Sequence, residues 1–210
     1  MPFVYFEKPF VDAFQKEYGM DPRGLPLEDA RVWKMRSRFF LQYLRDLRLA
    51  LNAAGEKRGK PVQIAMHVLN NFKTCNFYGM DIEAMIRERL VDVLLPARCH
   101  FAPPELGEGG CKPEFAAEFV RHAKGTGVRV FPECDTQYSG NGMSIGELAA
   151  AYYKIGVDGL ELPARMDSPK TEFAVRRRLG HLNELHRADE WRKGVSRLVR
   201  VNTVAGLRLD

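Results

Sequence analysis

The chain has 210 residues, 45% of them apolar and 28% charged, with 32 basic against 27 acidic side chains and a formal charge of +5. Apolar material on that scale excludes a disordered polyelectrolyte, a collagen-like repeat and a small scaffold that needs disulfides, since one sizeable core can form without covalent help. No apolar run approaches the roughly 20 residues of a membrane span, and the opening Met-Pro-Phe-Val-Tyr-Phe-Glu-Lys lacks the basic and long apolar regions of a secretory signal, so the compartment stays open.

Residues 5–18 and 27–54 read as two consecutive helices, the second carrying a 3.6-period stripe of Val32, Met35, Phe39, Phe40, Tyr43, Leu44, Leu47 and Leu51. Four runs rich in branched apolar residues follow, at 62–69, 91–96, 128–132 and 157–162, each bounded by polar or turn residues. A helix is expected after Pro113, with the proline in its first turn and Gly125 and Gly127 at its end. Ser144 and Glu147 have the spacing of a capping box for a helix that Gly156 closes. Strands alternating with helices predict a parallel sheet with right-handed crossovers.

The starts at Val62, Val91, Val128 and Val157 are spaced near the roughly 31 residues that one unit of a (β/α)8 barrel occupies. The expected fold is therefore α/β: four βα units forming the C-terminal half of a TIM barrel truncated at its N-terminus. Four parallel strands alone leave two unpaired edges and a bare inner face. Either an upstream half covers them or the half-barrel completes itself as a homodimer; an open doubly wound sheet is the alternative, but no Gly-rich dinucleotide or P-loop pattern occurs. Residues 1–195 are assigned to the partial barrel. Residues 196–210, where apolar and polar residues alternate from 199 onward, are a tail or the start of an appended β element.

Splitting each strand by parity gives an inward-facing set. Gln63, Ala65 and His67 are expected inward in the first run; Asp92, Leu94, Pro96 and then Arg98 in the second; Arg129, Phe131 and Glu133 in the third; Gly159 and Glu161 in the fourth. His67, Arg98, Glu133 and Glu161 thus converge on the C-terminal ends of the strands, where barrel enzymes place their active sites. A sequence that only needed a core would not bury glutamates there, because an unpaired carboxylate costs several kcal/mol. The competing view makes Glu133 and Glu161 structural ion-pair partners of Arg129 or Arg98. His100 and Asp135 lie just past their strands and are further candidates. Cys134 should face away from Glu133 as a small buried hydrophobe.

The stretches after the strands also carry Phe72, Phe77, Tyr78, Phe101 and Tyr138 beside Asn70, Asn71 and Asn76. Rings beside amides and carboxylates at a barrel mouth suit carbohydrate, although about half of such rings serve only the core. Cys75, Cys99, Cys111 and Cys134 show no C-x-x-C spacing, so free thiols are expected and no metal site. No cofactor is implied. Basic residues are mixed with acids except at Arg176, Arg177 and Arg178, which reads as a solvated helix face, so neither a nucleic-acid nor a membrane partner is expected.

Several strings resemble the C-terminal half of the glycosyl hydrolase-like family 10 barrels. They are Tyr18-Gly-Met-Asp-Pro22, the helix opening Asp29-Ala-Arg-Val-Trp33 and running through Arg36 and Phe39, the strand end His67-Val-Leu-Asn-Asn71, Tyr78-Gly-Met-Asp-Ile-Glu83 leading to Leu90-Val-Asp-Val-Leu-Leu-Pro96, and Gly156-Val-Asp-Gly-Leu-Glu-Leu-Pro163 with Arg178-Leu-Gly180. The resemblance spans about residues 3 to 190 in diffuse patterns. It implies that the four strands are the fifth to eighth of a barrel acting on an oligo- or polysaccharide. Glu133 would then be the nucleophile of retaining glycoside hydrolysis, and the acid/base residue would lie upstream of Met1. His67, Asn70, Tyr78, Arg98, His100, Asp135 and Glu161 would hold the sugar. A pairing of Glu133 with Glu161 on the next strand is the lesser alternative for the carboxylate chemistry. A catalytically silent carbohydrate-binding or assembly protein using the same mouth is the competing function. A phosphate-binding barrel has only Ser139-Gly-Asn-Gly142 in its favour.

Overall fold

The computed structural model describes residues 6–26, 29–98, 112–135, 143–162, 179–181, 183 and 185. The chain begins with helix α1 (Lys8–Tyr18), which stops at Gly19 in the left-handed region, φ 69°. Helix α2 (Ala30–Arg58) is opened by the Asp29 carboxylate accepting the Arg31 N–H and closed by Gly59 at φ 62°. The two helices pack through Phe10 and Phe14 against Val32 and Met35. From the expected stripe, Val32, Met35 and Leu44 are buried, whereas Phe39 and Tyr43 are exposed; Leu41 takes a buried place that the stripe did not include.

Strands β1 (Ala65–Leu69), β2 (Val93–Ala97) and β3 (Arg129–Val130) form a parallel sheet in that order. Ala65 lies opposite Val93 and His67 opposite Leu95; Val93 lies opposite Arg129 and Leu94 opposite Val130. The ladder continues beyond β3, where Phe131 N–H donates to Leu94 C=O at 2.9 Å and Glu133 N–H to Pro96 C=O at 2.9 Å. The fourth run lies along the other side of β3. Asp158 N–H donates to Val130 C=O, Glu161 N–H to Pro132 C=O and Cys134 N–H to Glu161 C=O, which makes a parallel bridge between Glu133 and Glu161. The protein is thus α/β with a parallel sheet, and all four predicted runs lie side by side in sequence order.

Helix α3 (Phe72–Phe77) takes the place of the aromatic loop expected after the first strand, and helix α4 (Ile82–Arg87) follows it in a stretch given no element from the sequence. Each has six residues, too short to print a hydrophobic period. Their caps are nevertheless well formed, Asn71 accepting the Thr74 N–H at 2.8 Å and Asp81 the Ala84 N–H at 2.9 Å. Helix α5 (Pro113–Ala123) and helix α6 (Ile145–Lys154) match expectation, and α6 has the complete reciprocal box of Ser144 with Glu147. The main core joins Leu41 and Leu44 of α2, Cys75 of α3, Ile82 and Met85 of α4 and Phe119 of α5 to one face of the sheet, represented by Ile64, Val68, Leu94 and Val130.

That face corrects the parity assigned to the second strand. Leu94 is fully buried in the helix-side core, so Leu94 and Pro96 face the helices, and Val93 and Leu95 share the opposite face with Ala65 and His67. Val93, Leu94 and Leu95 are all apolar, so hydrophobicity could not choose between the two settings of a period-2 strand. The first and third runs carry polar residues on one parity only, and in the fourth, where Asp158 and Glu161 differ in parity, the bridge to Glu133 puts Glu161 on the expected face; in all three the expected faces agree with the pairing.

Asp92 and Asp158 stand at equivalent places where adjoining strands begin. The Asp92 carboxylate accepts the Ile64 N–H at 2.7 Å and a bond from Arg48 Nη2 at 2.9 Å; the Asp158 carboxylate accepts the Val130 N–H at 2.8 Å. Each thereby satisfies an amide of the neighbouring strand that would otherwise lose its acceptor. Asp92→Ala, which also strips Arg48 of its carboxylate, should lower stability by about 2 kcal/mol, and Asp158→Ala, at an exposed position, by about 1 kcal/mol. Urea unfolding of the two variants checks the order; the midpoint should fall with an unchanged slope.

Candidate functional site

The side chains that the sequence places at strand ends meet around Glu133. Its backbone is fixed on both sides, the N–H by Pro96 C=O and the C=O by the Tyr152 hydroxyl of α6 at 3.2 Å. Its side chain is 93% buried. Carboxylate Oε2 accepts the backbone N–H of Arg98 at 2.9 Å, and Oε1 lies 3.9 Å from Arg98 Nε. Cys134, the next residue, turns the other way into a core cluster with Leu148, Ala149 and Tyr152, as expected of a small buried hydrophobe.

Glu161 neighbours Glu133 through the parallel bridge, so both side chains leave the same face about one strand spacing, ~4.8 Å, apart. Its Oε2 is buried, has no hydrogen-bond partner among the described residues, and lies 3.6 Å from Nδ1 of His67. His67 belongs to β1 and Glu161 to the run beyond β3. In a flat sheet three spacings, about 14 Å, would separate them. Their approach therefore marks the face as concave, with its two flanks leaning together over the middle strands. Burial pushes Glu161 above the ordinary carboxylate range; the His67 imidazole pulls it back, and the Glu133 charge pushes the same way as burial.

The floor of the concavity is Phe131. A Cβ on Gly159 would stand 2.3 Å from Phe131 Cε1, so the ring occupies the space that any side chain at 159 would need. The Arg129 guanidinium lies 5.7 Å from the centre of that ring and donates to Gln63 Oε1 at 3.2 Å. Sequence reasoning placed these residues inward but gave them no part in the site. The glycine, facing inward within a strand, was the available signal for a close approach.

Asn70 is buried at the end of β1 and accepts a bond from Asn71 Nδ2 at 3.2 Å. Asp135 is buried two residues past Glu133. Tyr78 caps the C-terminal end of α3 with its ring edge-on to Phe77, which itself meets Trp33 of α2; Tyr78 is thus anchored in the helix layer. Phe72 and Phe77 are core residues, Phe72 packing on Phe119. His100, Phe101, Tyr138, the 139–142 stretch and Arg176, Arg177 and Arg178 lie outside the described residues. Among the described residues no three His, Cys, Asp or Glu side chains gather as metal donors, and no helix is long and apolar enough to cross a membrane.

No protein-family model matches the chain, and a search of curated proteins finds no match either. The cluster offers two neighbouring carboxyls in unlike surroundings, one held by an amide and faced by a guanidinium, the other facing an imidazole.

Two outcomes follow. Gly159→Ala should displace Phe131 and lower stability by about 1–3 kcal/mol, read from the thermal midpoint together with the near-ultraviolet signal. Glu161 has a folded value raised above the ordinary 4.5, so its stabilising contribution is complete below about pH 4.5 and is lost as pH rises through that value. The stability of the parent relative to Glu161→Gln should accordingly fall as pH rises above about 4.5 and level off once the folded carboxyl has ionised, measured by urea unfolding at each pH.

Proposed function

We propose that this chain is a glycoside hydrolase-like protein that acts on or binds carbohydrate at the C-terminal ends of its parallel strands, and that its four βα units belong to a (β/α)8 barrel. The observation that carries the reading is the placement of Glu133. It is a buried carboxylate at the end of a parallel strand, fixed through both backbone groups and through its side chain, on the concave face of the sheet. Retaining glycosidases need a carboxylate held so that one oxygen meets the anomeric carbon in line. The near-31-residue repeat of strand starts supports the barrel, as does the curvature implied by the His67–Glu161 approach. The resemblance in sequence to the glycosyl hydrolase-like family 10 barrels points to the same chemistry.

In this reading Glu133 attacks the anomeric carbon and forms a glycosyl ester while a second carboxyl protonates the leaving oxygen; water then cleaves the ester. Arg98 holds the attacking carboxylate by its amide and faces it with its guanidinium. Asn70, Asp135 and the exposed His67 offer hydrogen-bonding groups for sugar hydroxyls, and Phe131 gives an apolar surface against which a C–H face can stack. His100 remains among the proposed sugar contacts, whereas Tyr78, held in the helix layer against Phe77, is not one of them.

The test is turnover of a panel of aryl glycosides and oligosaccharides by the parent and by Glu133→Gln. The variant should lose kcat by a factor of about 10³ or more while still binding the sugar, measured by calorimetry. Equal turnover by the two proteins would sink the assignment of Glu133. Saturable binding with no product from either protein would instead favour the catalytically silent carbohydrate-binding protein.

A further inference from the structure

We propose that Glu161 is the proton-carrying partner of Glu133, and that His67 positions it. As a step in glycoside cleavage this rests on the reading above; as a pairing of groups it stands on the geometry of the concave face.

Glu133 and Glu161 are direct neighbours across a parallel bridge, so neither can leave the other's vicinity without breaking the ladder. Two carboxylates one strand spacing apart repel, and the repulsion is relieved when one of them holds a proton. The surroundings decide which. Glu133 accepts an amide N–H and faces a guanidinium, both of which suit a charged carboxylate. Glu161 has a buried Oε2 that accepts no hydrogen bond among the described residues. The charged groups that face it are His67 on β1 and Glu133 on the neighbouring strand. The two act on it in opposite senses. The His67 side chain is 63% exposed while its Nδ1 faces the buried oxygen. The imidazole thus stands between Glu161 and solvent, where it orients the carboxyl and exchanges its proton.

The step balances without an added reagent. Glu133 bonds to the anomeric carbon as the bond from that carbon to the leaving oxygen breaks; the electron pair goes to the leaving oxygen, which takes the proton of Glu161. In the second half a water gives its proton to the Glu161 carboxylate, its oxygen bonds to the anomeric carbon, and Glu133 leaves as carboxylate. The two carboxyls stand on bridged residues of adjacent segments and leave the same face, the kind of close pairing that retaining chemistry requires.

The experiment has two readouts on the full chain. Carbon-13 NMR of glutamate-labelled protein, with Glu161 assigned through Glu161→Gln, should show this carboxyl titrating above the exposed glutamates. Glu133→Gln should lower its midpoint, and His67→Gln should raise it, each by about half a pH unit or more. His67 is exposed, so its variant gives a readout that folding does not endanger. A Glu161 that titrates with the surface glutamates and ignores both substitutions overturns the proposal. In kinetics, Glu161→Gln should cost about 10²-fold or more in kcat/KM on phenyl glycosides and under about tenfold on dinitrophenyl glycosides, whose leaving groups need no proton. Equal losses on both substrates also overturn it. A coupled titration in a parent that turns over no glycoside sustains the pairing and overturns the glycosidase reading, so the two failures are told apart.

Discussion

Parallel pairing with a period of two aims every side chain of the candidate site. Glu133 N–H on Pro96, Glu161 N–H on Pro132 and Cys134 N–H on Glu161 set three neighbouring segments in one register. A slip of one residue at 133 would turn the carboxylate into the cluster of Leu148, Ala149 and Tyr152 and bring Cys134 out in its place. Burying an unpaired carboxylate there would cost several kcal/mol, so the same residue that defines the site also enforces the register. Tyr152 adds a lock from the helix layer by donating its hydroxyl to the Glu133 carbonyl.

The two faces of the sheet are made for different neighbours. Met66, Val68, Leu94, Val130 and the α2 to α5 side chains form a dry core on the convex side. The concave side carries Gln63, His67, Arg129 and Glu161, whose polar atoms water or a polar ligand can satisfy. Phe131 keeps that side from being polar throughout, and Gly159 is the vacancy that lets the ring lie down. Curvature then converts residues from opposite flanks into neighbours, as with His67 and Glu161.

Much of this was legible in the residues, and the exceptions have physical causes. Strand order, the α6 capping box and the faces of the first, third and fourth runs follow from periodicity and cap chemistry. The second run failed because apolar residues occupy both of its parities. Helices α3 and α4 were missed because six residues hold fewer than two turns, and the rings of Phe72 and Phe77 belong to the half of the post-strand aromatics expected to serve the core. That Glu133, Arg98 and Glu161 share one end of the sheet was visible from their positions after each strand. The partner of Glu133 was not fully visible, because Arg98 binds it through a backbone amide, which no side-chain type announces. The approach of His67 to Glu161 depends on how far the sheet curls, a global property with no local signature.

Within the proposed glycosidase reading, the difference between the two carboxyls bears on which of them would attack. A nucleophile gains from being held still, since a fixed near-attack distance removes entropy from the barrier. Glu133 meets that demand, with its backbone bonded on both sides and its side chain nearly sealed. A proton donor must instead be reloaded on every turnover, which requires a route to solvent. The Glu161 side chain keeps 24% of its surface exposed and faces an imidazole that is itself largely in water. Exchanging the roles would leave the attacking group loosely held and the acid sealed beneath Arg98, so the packing of the sheet favours only one of the two assignments.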